Sequence, residues 1–484
     1  MSLKEVEVEG PCFLCFRLTR FQCDACSVYV CCEDHLSTHR PPQSSHCTKF
    51  QVSEVPGVGR VLVAREEIRA GEIVLTESAG VAGPAHGSAP VCLECCLPCR
   101  PEQLCRRCGW TVCGEECEVG RWHSIECSVL ASSPSLTSHC YAAILPLRLA
   151  LLARRGDNLA TRLGLLMDHS EDLHTRTDFH SKWFGPVREC LAHTDLTDKE
   201  ILRGIGIYLT NAANMAPASG RWILPTFSFL SHSCVSNSRF FISPEGEVTV
   251  TAVVDIPAGE EVTISYCPPQ SGNITRREKI QRLWQFQCRC ERCEDSSELG
   301  TNLSALRCSH CGGNLTPASS DLTASFVCDG QDCGIEVNLS TVLALTNSLA
   351  AEVKDTQPAH MVDMINRLET FLHTQHYLIM ELRQRWVDST MEDKNTKTEE
   401  ELVRVVEYLQ IITAVNSKIE PGYTVTLGTN LRHLNTAMLG LAKIRLQQRK
   451  IDQKEFMMIA KKAADNIKIA RKCFENTRKD KFSE

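Results

Sequence analysis

The sequence predicts an α+β protein whose β signal is split in two and whose last third is all helical. Three observations predict it. Short apolar runs bounded by Gly and Pro turns lie at residues 57–76 and again at 223–266. A block of paired cysteines and an apolar, helix-like stretch over 138–215 separate them. Of the 28 cysteines only Cys473 follows Cys333, so the chain changes character there.

A chain of 484 residues is too long for one core and divides into domains. Its 43% apolar and 23% charged residues are ordinary for a globular protein. Met1–Gly10 is acidic and has no apolar run, unlike a secretory signal. Tyr141–Ala153 is the longest apolar stretch, but it carries Arg148 and is too short to cross a bilayer. A protein of the nucleus or cytoplasm, without a membrane partner, is therefore expected. Its cysteines would stay reduced and bind metal rather than pair as disulfides. A net charge of −7 with no Lys/Arg tract argues against nucleic acid as the main partner. It suits a basic peptide.

Gly57–Ala64 and Glu72–Thr76 read as strands joined by a turn at Arg69–Gly71. The β-domain begins near Gln51, so residues 1–48 read as removable. Phe240–Ser243, a turn at Pro244–Gly246 and Val248–Val254 follow, and Pro257–Gly259 turns the chain into Val262–Tyr266. Thr275-x-x-Glu278 matches a capping box for a helix running toward Trp284, as Thr398-x-x-Glu401 does further on. Beyond 336, Met361, Ile365, Leu368 and Leu372 share one helical face, as do Leu431, Leu434, Met438 and Leu441. No repeat consensus is visible.

The cysteines carry the first chemical signal. Cys92-x2-Cys95, Cys105-x2-Cys108, Cys113-x3-Cys117 and His123-x3-Cys127 form four close pairs. Two ligands from one tight turn fill adjacent corners of a tetrahedral zinc site, and a distant pair completes it. Cys96 and Cys99 are left over as structural or exposed thiols. A looser echo comprises Cys12, Cys15, Cys23, Cys26, Cys31, His35, His39 and Cys47, where His46 competes with His39 and Cys32 with Cys31. Cys308-x2-Cys311 with Cys328-x4-Cys333 reads as a one-zinc ribbon; the alternative is that Cys328 and Cys333 are ordinary buried thiols. Four closed protein ligands leave no open position on a metal, so these sites are folding elements.

The remaining motifs matter through their order. Gly57-x-Gly59-Arg60 comes first, then Ser231-His232-Ser233-Cys234 with Asn237, then Gly259–Tyr266 (GEEVTISY), then Cys288-x-Cys290-x2-Cys293. Alone, Tyr266 reads as a half-buried strand tyrosine and His232 as a core histidine. In this order they resemble the SET domain of the SET-and-MYND (SMYD) family, and the pairs at 92–127 resemble the MYND finger that interrupts it. The resemblance covers about residues 50–484, and the extra N-terminal finger is most similar to the arthropod SmydA branch. It implies an N-terminal MYND-like finger (1–49), a first SET part (50–87), a MYND finger (88–130), and a SET helical insert with the SET core (131–268). A post-SET zinc segment (269–300), a small ribbon (301–335) and a helical domain (336–484) follow.

The resemblance also implies interleaved ligands. Cys92, Cys95, Cys113 and Cys117 would hold one zinc, and Cys105, Cys108, His123 and Cys127 another, although the gap from Cys117 to His123 is a little short. The same scheme in the first group pairs Cys12, Cys15, Cys31 and His35, then Cys23, Cys26, His39 and Cys47. Cys234, Cys288, Cys290 and Cys293 match the post-SET zinc. The activity implied is S-adenosylmethionine-dependent methylation of a lysine on a histone or non-histone protein. Tyr266 matches the catalytic tyrosine. Gly57, Gly59, Arg60, Asn211, Ser231, His232, Tyr266, Trp284 and Phe286 match cofactor-side positions. Several depart from the pattern: Ser231 replaces an asparagine, Val58 a lysine, Trp284 a tyrosine, and Ala213 a channel aromatic. Losses of roughly 1 kcal/mol each would weaken cofactor binding. The rival reading is a weak or inactive scaffold recruiting corepressors, its MYND finger gripping a proline-rich partner. The second finger lacks the C2H2 spacing of a sequence-specific DNA reader.

Overall fold

The computed structural model describes residues 3–40, 47–78, 80–132, 140–156, 158–176, 178–215, 219–243, 246–393 and 395–475. His46, and Pro244 and Glu245 of the expected turn, lie outside them. The two halves of the β signal meet. Strand Ile73–Ser78 pairs antiparallel with Glu247–Ala252, which pairs with Ser238–Ile242. Val248, Val250 and Ala252 alternate into the core, as one buried face requires. Phe50–Val55 and Gly59–Ala64 form a hairpin. Val81–Pro84 pairs with Gly220–Ile223, and that strand with Ala213–Met215.

Two local readings need correction. Of Val262–Tyr266 only Thr263–Ile264 is strand, and it pairs parallel with Ser231–His232. The Asn237 side chain replaces part of a ladder, accepting from Thr263 N at 2.8 Å and donating to Glu261 O at 2.8 Å. The helix Asn273–Trp284 starts before Thr275, with Gly272 as its N-cap. Ser304 Oγ accepts from Asn273 N at 2.8 Å, so the capping oxygen comes from another segment and Thr275 falls inside the first turn. The box at Thr398 and Glu401 forms as read, with bonds of 3.2 and 2.8 Å.

The first cysteine module is built into the β-domain. Phe13 lies 6.0 Å from Phe50 between ring centroids, and its carbonyl accepts from Val52 N at 2.9 Å. Cys12, Leu14, Val30 and Leu36 share one buried cluster with Phe50, Val52 and Leu62. The described part of the N-terminal module thus shares its buried cluster with the β-domain, a contact that the reading of residues 1–48 as removable did not foresee.

The second module is tied to the helical insert. Its helix His123–Ala131 packs on helix Tyr141–Arg155 through Glu126 and Arg148, both fully buried. Arg148 donates to both Glu126 oxygens at 2.6 and 2.5 Å, to Leu93 O at 2.6 Å, and to Ala82 O. A disulfide, unforeseen from sequence, joins Cys140 at the start of that helix to Cys190 at the end of Gly185–Cys190. The two helices lie side by side and bring the Cα atoms to 6.2 Å.

Helices Leu339–Asp355, Met361–Leu368, Tyr377–Glu392, Glu399–Ile419, Val425–Gln447 and Gln453–Phe474 form the C-terminal region. It leans on the β-domain where Tyr423 N donates to Val253 O at 3.0 Å. Gly422 makes this approach possible: a Cβ there would lie 1.8 Å from Val253 O. Among the described residues no helix is long and apolar enough to cross a membrane.

Replacing Arg148 with Met should cost about 3–5 kcal/mol in urea denaturation, because Glu126 is left buried and unpaired. Arg148→Met with Glu126→Leu should recover part of that loss; a double variant no better than the single would refute the pairing. Deleting residues 1–48 uncovers Phe50 and Val52 at about 1.5–3 kcal/mol each. The truncated chain should melt several degrees lower, and an unchanged melting curve would show the module to be separable.

Candidate active site

The site is assembled from the end of strand Ile73–Ser78. Glu77 is buried and accepts from Thr226 N at 3.0 Å and Phe227 N at 2.9 Å, while Arg162 pairs with it. This fixes the short helix Phe227–Phe229, and behind it the run from Leu230 to Cys234. Leu230 O accepts from the Tyr266 hydroxyl at 2.5 Å. Tyr266 N donates to His232 Nδ1 at 3.0 Å. With Nδ1 accepting, a neutral imidazole carries its proton on Nε2, which lies 3.4 Å from Cys234 Sγ. Burial pushes the Tyr266 phenol above its ordinary pKa. At neutral pH Tyr266 is a hydrogen-bonding phenol, not a phenolate.

An aromatic wall closes round it. The Tyr266 ring lies 5.1 Å from His232 and 4.7 Å from Trp284, and His232 lies 6.3 Å from Phe286. Gln285, at φ +60°, turns the chain so that Trp284 and Phe286 both face this cluster. Trp284 lacks a hydroxyl, but its indole N–H donates to Thr210 O at 2.9 Å. That bond ties the wall to the end of helix Asp198–Asn211, which starts in a Thr197–Glu200 capping box.

Gly57, Gly59, Arg60 and Asn211 gather on a neighbouring segment. Gly57 and Gly59 have φ of +76° and +100°. Arg60 donates to Leu165 O, and Asn211 Nδ2 to Met167 O at 2.7 Å and Ile207 O at 3.1 Å. Met167 Cε lies 3.5 Å from where a Gly59 Cβ would stand. Both amide hydrogens of Asn211 are thus spent within the chain. Ser231 also has an internal partner, donating to Glu261 Oε2 at 2.7 Å. Val58 is 59% exposed.

The cysteine groups converge as spaced. Cys12, Cys15, Cys31 and His35 form one set, and Cys23, Cys26, His39 and Cys47 another. Cys92, Cys95, Cys113 and Cys117 form a third; Cys105, Cys108, His123 and Cys127 a fourth; Cys234, Cys288, Cys290 and Cys293 a fifth. In each, the ligand atoms lie within 4.8 Å of one another. Cys308 and Cys333 approach to 3.6 Å, Cys311 and Cys328 to 3.3 Å. A tetrahedral zinc site with thiolates has sulfur–sulfur edges of about 3.8 Å. Pairs such as Cys234–Cys293 at 3.5 Å and Cys105–Cys127 at 3.7 Å fit that ion. Cys96 is buried apart from the ligands, and burial pushes its thiol up to about 12. Sequence reading passed over Cys267, a buried thiol packed against the fifth set, and Arg276, whose Nε lies 3.3 Å from Cys234 Sγ. Neither falls in a recognisable spacing.

Residues 59–267 match the family described as SET domain. SmydA-8 isoform A of Drosophila melanogaster, a SET domain-containing protein, is 26% identical over 413 residues, 80% of this chain and 87% of that protein. Histone-lysine N-methyltransferase ASHR1 of Arabidopsis thaliana is 23% identical over 264 residues, 50% of this chain and 55% of that one. A solved SET domain of LSMT bound to lysine and AdoHcy aligns with 83% of this chain and 89% of its own at 11% identity and a TM-score of 0.33.

Trp284→Phe keeps an aromatic ring in the wall but removes the N–H to Thr210 together with part of the indole's stacking area. It should lower stability by at least about 1 kcal/mol in chemical denaturation. A variant as stable as the parent would show that the indole hydrogen bond does not hold the wall.

Proposed function

We propose that this SET-domain protein is an S-adenosylmethionine-dependent protein-lysine N-methyltransferase acting on a histone or non-histone protein. In this reading the SET domain is split by a MYND finger, followed by a post-SET zinc segment and a helical domain, and preceded by an added MYND-like finger. The observation that carries it is the half-buried, neutral Tyr266 phenol held between Leu230 O and the wall of His232, Trp284 and Phe286. Relatives named as histone-lysine methyltransferases support it.

S-adenosylmethionine would supply an electrophilic methyl group on its sulfonium. Gly57 and Gly59 let backbone approach it closely. Arg60 Nε is buried without a hydrogen-bond partner among the described residues, and a carboxylate accepted there would satisfy it. Phe286, 37% exposed, offers a face to an adenine. Tyr266 donates its O–H hydrogen bond to Leu230 O, so the phenol oxygen keeps lone pairs for the N–H groups of an incoming amine. Orienting that amine in a site walled by aromatics is the chain's contribution to rate. Zinc in the six cysteine sets would hold the wall and the fingers in place.

A second reading, a scaffold with little catalysis, has its own support. The Ser231 hydroxyl and both Asn211 amide hydrogens are already engaged within the chain. The second finger also exposes Leu97, Leu104 and Val119, apolar side chains open to a partner such as a proline-rich peptide.

Radiolabelled methyl transfer to nuclear and cytosolic extracts separates the two. Tyr266→Phe should lower label by at least about tenfold while cofactor affinity, read by calorimetry, barely changes. Equal label from both chains, or none from either at saturating cofactor, would leave the scaffold. Native mass spectrometry should count about six zinc ions per chain, one for each four-ligand set; three or fewer would reject the ligand assignment.

A further inference from the structure

A zinc ion held by four thiolates is a dianion, and Cys234, Cys288, Cys290 and Cys293 would place one in the interior. A charge removed from water needs an opposite charge or hydrogen-bond donors. Two arginines and a carboxylate, all essentially unexposed, stand beside this set. Arg276, on helix Asn273–Trp284, points Nε at Cys234 Sγ (3.3 Å) and brings Nη2 to 4.0 Å from Cys293 Sγ. Its Nη1 donates to Glu298 Oε1 at 2.9 Å. Arg292, lying between Cys290 and Cys293 in sequence, gives two further N–H groups to that same oxygen, at 3.2 and 3.0 Å.

Glu298 is held in an unfavourable way to do this. Its second oxygen is buried without a partner among the described residues. Its backbone sits at φ +51°, followed by Leu299 at +63°, a conformation costly for both. Two cations sharing one carboxylate oxygen leave excess positive charge in the interior. Glu298 cancels Arg292 and pins Arg276, whose remaining charge faces the sulfurs.

We propose that Arg276, clamped by Glu298, is an electrostatic part of the Cys234–Cys288–Cys290–Cys293 metal centre and sets how long it keeps its ion. This rests on the zinc reading of that set. Arg276 is a positioning residue: its helix ends at Trp284, so retention of the ion and placement of the aromatic wall share one element. The N–H···S contact from Arg276, with the second from His232 Nε2, stabilises the thiolate that joins the 231–234 run to the 288–293 segment.

The test follows zinc loss from the full, zinc-loaded chain in excess chelator, counted by native mass spectrometry. Arg276→Met and Glu298→Gln should each release a single ion at least about tenfold faster than the parent, with the other ions leaving at the parental rate. Arg276→Lys should fall between, since an ammonium keeps the charge but not the fork that meets sulfur and Glu298 together. Parental single-ion release in Arg276→Met and Glu298→Gln, or equal acceleration for every ion, would overturn the proposal. Should Arg276→Met fail to fold, Glu298→Gln decides alone. The double variant Cys290→Ser, Cys293→Ser tests the premise separately: an ion count unchanged from the parent would remove the metal, and the proposal with it.

Discussion

Arg148 and Glu126 form the contact that lets one β-domain be interrupted and still close. The interruption begins just after strand Val81–Pro84, and the chain must come back for Gly220–Ile223 to pair with that strand. Arg148 touches each party to this detour at once: Ala82 on the strand, Leu93 and Glu126 on the cysteine module, and its own helix in the insert. A fully buried ion pair contributes little net stability, since desolvating both charges costs about what their attraction returns. Its value lies in specificity. Any other placement of the module leaves a buried charge unpaired, so alternatives are disfavoured more than the native arrangement is favoured.

The same logic recurs at the metal-ligand set beneath the aromatic wall. There a cation, a carboxylate and the sulfurs must all be present for any of them to be tolerated. Both clusters sit where segments distant in sequence are forced together. Apolar packing supplies most of the stability elsewhere, and these polar clusters select one arrangement of the packed parts.

How much of this could be read beforehand follows from how local each signal is. The cysteine clusters were legible because two donors from one turn suit chelation, and Cys92-x2-Cys95 or Cys105-x2-Cys108 state that within four letters. The Thr398–Glu401 box and the turn glycines Gly71 and Gly259, at φ +93° and +88°, are equally local. The SET assignment came from the order of several weak motifs, none decisive alone. Arg148 stood out only as a charge inside the apolar run Tyr141–Ala153, and Arg276 and Glu298 gave no warning, because a buried arginine and a surface one are the same letter. The Cys140–Cys190 bond was hidden for a similar reason: neither residue belongs to a close pair. Trp284 looked like a loss when judged by its missing hydroxyl, and only its neighbour Thr210 shows where its own N–H goes.

The pairing of Ile73–Ser78 with Glu247–Ala252 has a consequence for how the chain is made. The earlier strand leaves the ribosome with its partner still to be translated. At about 5–20 residues per second that partner follows roughly 10–30 s later. During that interval Val74 and Leu75, destined for the interior, have no sheet to join. The N-terminal module cannot mature alone either, since its buried face is shared with the same unfinished domain. Both cysteine modules, at 12–47 and at 92–127, close their ligand sets within themselves. Each can order locally while its outer face still waits, the first for the β-domain and the second for Arg148 to reach Glu126, and the slow-closing domain is completed around them.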